Sequence, residues 1–278
     1  MLDLSRVKFY LKISRPIIWF TVLPYYLFPL GGRLDLLSTC RFWLGLLYFT
    51  FPVNIMMFGI NDMADTDVDK YNPRKSLGRF GGQDSISEFS GLWKVISISN
   101  LIPLTIISIA TGDWVSYPFF FAMGLGLNIV YNFKPFAFSR KPPLDLLCTP
   151  AGFLLEVVFA CHLNQVPLPN IGKIRALVFS NAPYRVYRPD SSPLNRLVSL
   201  SGPCVFYITS SLTSHLLAEL LDLDCDARSG KRTTAVVIGK AYTCAFIGAL
   251  IFVQLLVSGG CSLAAPPPSK SSPYLLRY

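Results

Sequence analysis

Residues 49–69, Phe49-Thr-Phe-Pro-Val-Asn-Ile-Met-Met-Phe-Gly-Ile-Asn-Asp-Met-Ala-Asp-Thr-Asp-Val-Asp69, run from an uncharged apolar stretch straight into four carboxylates within eight residues. A helix needs about 20 mostly apolar residues to cross a hydrocarbon core about 30 Å thick, and this stretch closes a run that begins at residue 42. Similar runs occupy 17–32, 92–111, 115–133, 145–163, 199–221 and 240–258, giving seven predicted spans with 42–61. The 278-residue chain is 52% hydrophobic, 14% aromatic and only 15% charged, with a mean hydropathy of +0.46. A soluble domain is about 25% charged, so this chain lacks the polar side chains to cover a water-facing surface. Disorder, collagen and coiled coil are excluded, and the expected fold is an all-α polytopic helical membrane bundle. The first run continues through Pro24, Tyr25, Tyr26 and Pro29 with no cleavage-site pattern, so it reads as a span and not a signal peptide.

The formal charge is +9, and its placement matters more than its size. With the N-terminus cytoplasmic, the inside segments 1–16, 62–91, 134–144 and 222–239 hold most of the basic residues, among them Arg15, Arg74, Lys75, Arg79, Lys134, Arg140, Lys141, Lys231 and Arg232. The short outside loops hold Arg33 and Arg41. That asymmetry predicts an N-in topology and a positive face toward anionic lipid, with no call for a nucleic-acid partner. Residues 164–198 disagree, being basic and proline-rich on the predicted outer side; a structureless stretch of this length reads first as a disordered insert or a segment not native to the fold, and otherwise as a functional lid. The chain thus divides into a membrane domain, 1–258, carrying that insert, and a disordered tail from Gly259 that contains Pro266-Pro267-Pro268. The seven cysteines show no CxxC or other metal spacing and read as small buried residues.

If the helix of the second span continues, Asn61 and Asp65, and Asp65 and Asp69, stand four apart, with Asp62 three before Asp65. One face then presents a column of oxygen donors, extended inward by Asn54. Carboxylates this dense repel one another unless a cation neutralises them. At the end of the sixth span Asp222 and Asp226 repeat the spacing, with Asp224 between them and Arg228, Gly230, Lys231, Arg232, Thr233 and Thr234 after. Alone, either cluster reads as well as a solvated helix end marking the bilayer boundary. Together, on the same predicted face, they suit Mg²⁺ around a diphosphate, because Mg²⁺ uses one or two carboxylates plus phosphate oxygens and water. Lys231 and Arg232 would bind the outer oxygens, and an apolar, aromatic-rich bundle interior would hold an isoprenoid chain.

Asn61-Asp62-x-x-Asp65-x-x-x-Asp69 and Asp222-x-x-x-Asp226, followed by Gly230 and Thr233-Thr234, resemble the two aspartate-rich motifs of the UbiA-type intramembrane prenyltransferase superfamily. Within it they are most similar to the lycopene-elongase-like or fungal branch. Ser14-Arg15-Pro16 resembles that family's start, and Tyr131 to Asp145 its tyrosine-containing loop, so the likeness covers roughly residues 10–258. The resemblance implies Mg²⁺ dependence and transfer of a prenyl group from an allylic isoprenyl diphosphate to a lipophilic acceptor. It also implies that Asp62, Asp65, Asp69, Asp222 and Asp226 hold the metal and act in catalysis. Asn61, Tyr131, Lys134, Arg140, Lys141, Asp145, Lys231 and Arg232 are implied to bind substrate, with the phosphate contact left open among Lys134, Arg140 and Lys141. Relatives of this type carry nine helices, so the chain reads as C-terminally truncated. Alternative expectations are a membrane terpene cyclase, an inactive truncated homologue, and, from another class, a cation transporter.

Four further polar residues fall in or beside spans. Glu156 is costly inside the fifth span and reads equally as a functional group or as a protonated helix-to-helix contact. His215 and Asn128 read first as interhelical hydrogen-bonding residues, and His162 as interfacial.

Overall fold

The computed structural model describes residues 4–30, 33–72, 89–166 and 193–264, without the side chains of 193–203 and 259–264. Among the described residues ten α-helices follow in order: α1 Leu4–Ile13, α2 Trp19–Leu27, α3 Cys40–Tyr48, α4 Phe51–Ala64, α5 Thr66–Asp69, α6 Leu92–Thr111, α7 Ser116–Asn132, α8 Asp145–Asn164, α9 Pro193–Ser229 and α10 Thr234–Ala264. Among the described residues there is no strand, and the architecture is an all-α polytopic membrane bundle.

Among the described residues five stretches are long and apolar enough to cross a membrane: 40–64, 92–111, 145–164, 204–229 and 234–258. The other two predicted spans form shorter helices. Residues 17–32 give α2 between two 3₁₀ turns, Pro16–Ile18 and Phe28–Leu30, because Pro24 and Pro29 remove backbone donors that a longer helix would need. Residues 115–133 give the 17-residue α7. The second span is itself broken between α3 and α4, where Pro52 enters the first turn. Asn54 repairs that break: its Nδ2 donates to the carbonyls of Phe49 and Thr50 at 3.1 and 2.7 Å. It therefore closes backbone and does not extend the acidic face, as in lipid every freed carbonyl must find a donor. The last helix runs to Ala264, past the expected end at 258. Arg74, Lys75, Arg79, most of the 164–198 insert and the tail from 265 lie outside the described residues.

The bundle packs α9 against α10 and α8, α2 against α8, and α4 against α1, α6 and α7. With apolar solvent on the outside, such contacts rest on close fit and interhelical hydrogen bonds. A Cβ on Gly45 would collide with the Tyr26 ring and hydroxyl. Tyr26 Oη donates to the Phe42 carbonyl at 2.8 Å and accepts from Asn164 Nδ2 at 3.0 Å, joining α2, α3 and α8. Around this node Phe49, Tyr117 and Phe159 form one apolar core, while Ile13, Ile55, Ile60, Leu92 and Ile96 form a second nearer the acidic helix ends. Asn100 adds a cross-link, donating to the Pro52 carbonyl at 2.9 Å.

Candidate functional site

The acidic column differs from the expected continuous helix. α4 stops at Ala64, Asp65 has left the helical backbone (φ −100, ψ 17), and α5 starts a new turn. The offset is small, since Asp65 N still donates to the Asn61 carbonyl and Asp69 N to the Asp65 carbonyl, at 2.9 and 2.8 Å. Asp62, Asp65 and Asp69 are all buried. Asn61 Nδ2 spans to Asp65 Oδ2 at 3.3 Å and to Asn132 Oδ1 on α7 at 3.1 Å.

Helix α9 carries the second cluster to the same place. Its last turn ends at Gly230, whose φ of +75 is the left-handed conformation that suits glycine after a helix. The chain then folds back, with Lys231 N donating to the Asp226 carbonyl at 2.9 Å. That reversal carries Lys231 Nζ to 2.7 Å from Asp65 Oδ2. Burial pushes the ammonium pKa down, but the carboxylates of Asp65 and Asp226 outweigh it, so Lys231 is held charged above its ordinary value. Asn72 Nδ2 donates to Asp222 Oδ1 at 2.8 Å, and Cys225 Sγ to the Val68 carbonyl at 3.5 Å. The two motifs, about 160 residues apart in sequence, are thus two walls of one mouth.

Arginines complete it. Arg15 sits in left-handed backbone (φ 52) immediately before Pro16, pairs with Asp62, and lies 4.6 Å over the Phe58 ring. A non-glycine residue pays about 1–2 kcal/mol for that conformation; here it aims the guanidinium at the buried carboxylate. In the loop after α7, left-handed Ala137 starts a 3₁₀ turn that presents Arg140 to Asp65 at 3.1 Å and to Asp67 at 2.9 Å. The hydrogen bond to Arg140 holds the Asp67 carboxyl below its ordinary value.

Behind the mouth a cavity of about 620 Å³ enters the bundle. Arg15, Asn61, Asp65, Asp69, Asn72, Asp222, Asp226, Lys231 and Thr233 line its charged end, and Tyr48, Phe49, Met56, Phe120, Phe153 and Phe159 its apolar end. Tyr131, Asn128, His215 and Glu219 stand between. His215 does bridge helices, with Nδ1 3.0 Å from Thr149 Oγ1 on α8, and its Nε2 lies 3.0 Å from Glu219 Oε1. Asn128 donates within its own helix to Gly124, while His162 pairs with Asp113 at 2.8 Å at the opposite end of α8.

Several expected site residues stand elsewhere. Lys134, Lys141 and Arg232 are exposed and do not line the cavity; Lys141 Nζ donates to the Pro135 carbonyl at 2.9 Å. Of the three basic residues left open, Arg140 is the one at the acidic mouth. Asp224 is exposed, two residues from each of Asp222 and Asp226 and so off the face they share. Asp145, fully buried, accepts from Thr234 N and Oγ1 at 2.5 and 2.7 Å and so anchors the start of α10. Glu219 does the same for Ala235 N at 3.0 Å. Asp62 is sealed against Arg15 and is not among the lining residues. Sequence reasoning had not singled out Arg15, Asn72 or Asn132 as site residues. The Ser-Arg-Pro start was the available signal for Arg15.

Three of the proteins similar to this chain act in carotenoid biosynthesis by name. Lycopene elongase/hydratase of Corynebacterium glutamicum is 34% identical over 153 residues, covering 54% of this chain and 51% of that protein. Lycopene elongase/hydratase of Haloarcula japonica is 23% identical over 249 residues, 87% of this chain and 68% of that one. A C(50) beta-cyclic carotenoids biosynthesis protein of a Dietzia species is 32% identical over 150 residues, 52% and 33% of the two chains. The chain spans about half the length of the corynebacterial relative it matches. No protein-family model matches it, and no solved structure does.

The donor set bears on a metal. No group of three or more acidic, histidine or cysteine side chains among the described residues is arranged to hold an ion by itself. The cavity does hold pairs of hard oxygen donors, Asp65 with Asp69 and Asp222 with Asp226. Such pairs fit Mg²⁺ that arrives with phosphate oxygens and keeps water, the way this ion is ordinarily bound.

Proposed function

We propose that this chain is a Mg²⁺-dependent intramembrane prenyltransferase that moves an isoprenyl group from an allylic diphosphate to a lipophilic acceptor. The acceptor class is a polyene such as the lycopene in its relatives' names. The observation that carries the reading is the meeting of two acidic helix ends around Lys231, at the mouth of a cavity whose far end is aromatic and aliphatic.

The division of labour follows from the lining. A diphosphate at the mouth would meet Lys231 and Arg15, and Arg140 from the rim, all rigidly placed donors that favour the charge growing on the departing group. Asp65 with Asp69 and Asp222 with Asp226 are the residues that would hold Mg²⁺, which would supply Lewis-acid neutralisation of that same charge. The isoprenyl carbons would extend inward past Asn128 and Tyr131, whose electron-rich ring suits a developing allylic cation. Met56, Phe120 and Phe153 at the apolar end would pack against the rest of the isoprenoid chain and keep bulk water from it. The chain's N-terminus and both aspartate clusters belong on the cytoplasmic side in this reading.

The test uses membranes containing the full chain, an allylic diphosphate, Mg²⁺ and lycopene. Diphosphate release coupled to a longer carotenoid supports the reading, and a volatile hydrocarbon made without acceptor would replace it with cyclisation. No release in any combination overturns it.

A further inference from the structure

Between the acidic mouth and the apolar end of the cavity, three polar side chains form a row that binding of the diphosphate does not use. Thr149 Oγ1 on α8 lies 3.0 Å from His215 Nδ1 on α9, and His215 Nε2 lies 3.0 Å from Glu219 Oε1, one turn along the same helix. Those last two atoms are buried and make no other hydrogen bond among the described residues. The second Glu219 oxygen accepts from Ala235 N at 3.0 Å, so the start of α10 fixes the carboxylate behind the ring. Tyr131 stands edge-on to the imidazole, 6.1 Å between ring centroids. Thr149, His215, Glu219 and Tyr131 all line the cavity.

This row lies at the depth of the bond-forming step. His215, Glu219, Asp222 and Asp226 follow one another along one face of α9. His215 is about two turns inward of Asp222, and Thr149 about one turn inward of Asp145, which holds Thr234 beside the mouth. The reacting allylic carbon is bonded to the diphosphate itself, so an acceptor double bond must meet it just inside the mouth. Glu156 stands about three turns inward of Asp145, among Tyr48, Phe49 and Phe159, against the far part of an isoprenoid chain. A carboxylate beside Nε2 favours the proton on that nitrogen and leaves the Nδ1 lone pair to accept from the Thr149 hydroxyl. The result is a hydroxyl made basic by a histidine that a carboxylate orients.

We infer that Thr149, backed by His215 and Glu219, removes the proton that ends the transfer reaction. This rests on the transferase reading above, which supplies the cation. When the allylic carbon bonds to one carbon of an acceptor double bond, the other carbon is left positive, and the hydrogens on its neighbours become strongly acidic. One of those C–H bonds breaks and its electron pair becomes the new double bond. The proton bonds to Thr149 Oγ1 as the hydroxyl's own proton passes to His215 Nδ1. The products are a prenylated alkene and an imidazolium whose charge Glu219 offsets, and the imidazolium later gives its proton to water at the mouth. No oxidant or reductant enters. Thr149 is the group that touches the substrate, and His215 and Glu219 act through it.

The experiment follows diphosphate release and prenylated carotenoid in membranes containing the full chain, an allylic diphosphate, Mg²⁺ and either lycopene or perdeuterated lycopene. The native chain is expected to give a prenylated alkene for each diphosphate released, at similar rates from both acceptors. Thr149→Val and His215→Gln are each expected to lower the alkene formed per diphosphate at least about tenfold, as befits loss of a positioned proton acceptor. Both should also make its formation slower from the deuterated acceptor, a sensitivity that a merely structural role would not produce. Thr149→Ser, which keeps the hydroxyl, is expected to recover most of the native yield. Absence of release, or release without a prenylated carotenoid, from the native chain overturns the transferase reading and this one with it. With the native chain active, an unchanged yield in Thr149→Val and His215→Gln overturns the relay alone. So does a yield that falls without an isotope effect, a loss of release in both variants, or a Thr149→Ser protein no better than Thr149→Val.

Discussion

Lys231 Nζ lies 2.7 Å from Asp65 Oδ2, joining residues that stand 166 positions apart. The ammonium is buried between the two acidic helix ends and belongs electrostatically to both, through Asp65 on one side and Asp226 on the other. It is the physical link that makes one site of two motifs.

Removing that link should be expensive. Lys231→Met leaves buried carboxylates without their cation, and breaking a buried pair in this way costs about 3–5 kcal/mol. The thermal midpoint of the detergent-solubilised protein is expected to fall markedly and diphosphate release to be lost, while Lys231→Arg retains part of both. An unchanged midpoint in Lys231→Met would mean that the ammonium does not neutralise the pair.

Aspartates that line the cavity should separate from charged residues that do not. Asp65→Asn and Asp226→Asn are expected to lower diphosphate release by at least about 100-fold, the scale of losing a charge-stabilising group at a reacting centre. Asp224→Ala, Lys134→Ala and Arg232→Ala alter exposed side chains and should stay within about twofold, in keeping with surface changes of about 0.5 kcal/mol. Release that falls equally in all five variants would dissolve the distinction drawn from the lining.

Asp145 should behave as an anchor. Its carboxylate accepts two hydrogen bonds from Thr234, and losing a buried acceptor of backbone and hydroxyl donors costs about 1–3 kcal/mol. Asp145→Ala is expected to lower the thermal midpoint while the folded fraction keeps its KM for the allylic diphosphate. A raised KM at an unchanged midpoint would return the residue to the substrate-binding role that the family likeness implied.

Acid should loosen the Arg140 contact at the rim only below the ordinary carboxylate range. The Asp67 carboxyl is held below its ordinary value by Arg140, so the pair's contribution is complete above the unfolded carboxyl pKa of about 4 and fades as pH falls through the lower, folded value. The side chain is largely exposed, which limits the pair to under about 1 kcal/mol. A chemical-shift titration of the Asp67 carboxyl should show a midpoint that rises toward the ordinary value in Arg140→Ala. An identical midpoint in both proteins would show that the contact is not maintained in solution.

Apolar runs were enough to locate the five stretches long enough to cross a membrane among the described residues, while 17–32 and 115–133 gave shorter helices. The same patterns could not show where a helix breaks. Asn61, Asp62, Asp65 and Asp69 look alike on a continuous helix, yet the break at Asp65 sends Asp62 toward Arg15 and leaves Asp65 and Asp69 to the cavity. The partner of Asp145 was illegible for a related reason: it is the start of a helix 89 residues later, and local spacing holds no trace of such a contact. Arg140 was separable from Lys134 and Lys141 only through the left-handed turn at Ala137, a conformation that alanine does not announce. Glu156 was legible as costly; that its buried Oε2 finds no partner among the described residues was not.

The anchoring of α10 by Asp145 and Glu219 has a bearing on biogenesis. The ribosome delivers the chain from its N-terminus, so the first acidic helix end enters the bilayer long before residue 231 exists. Until the last hairpin docks its amides on α8 and α9, Asp65 must rely on Arg140 or water for neutralisation. Docking of α9 and α10 therefore doubles as the assembly step that closes the electrostatics of the mouth, and quality control that samples this intermediate would see an acidic, hydrated half-site in place of a finished one.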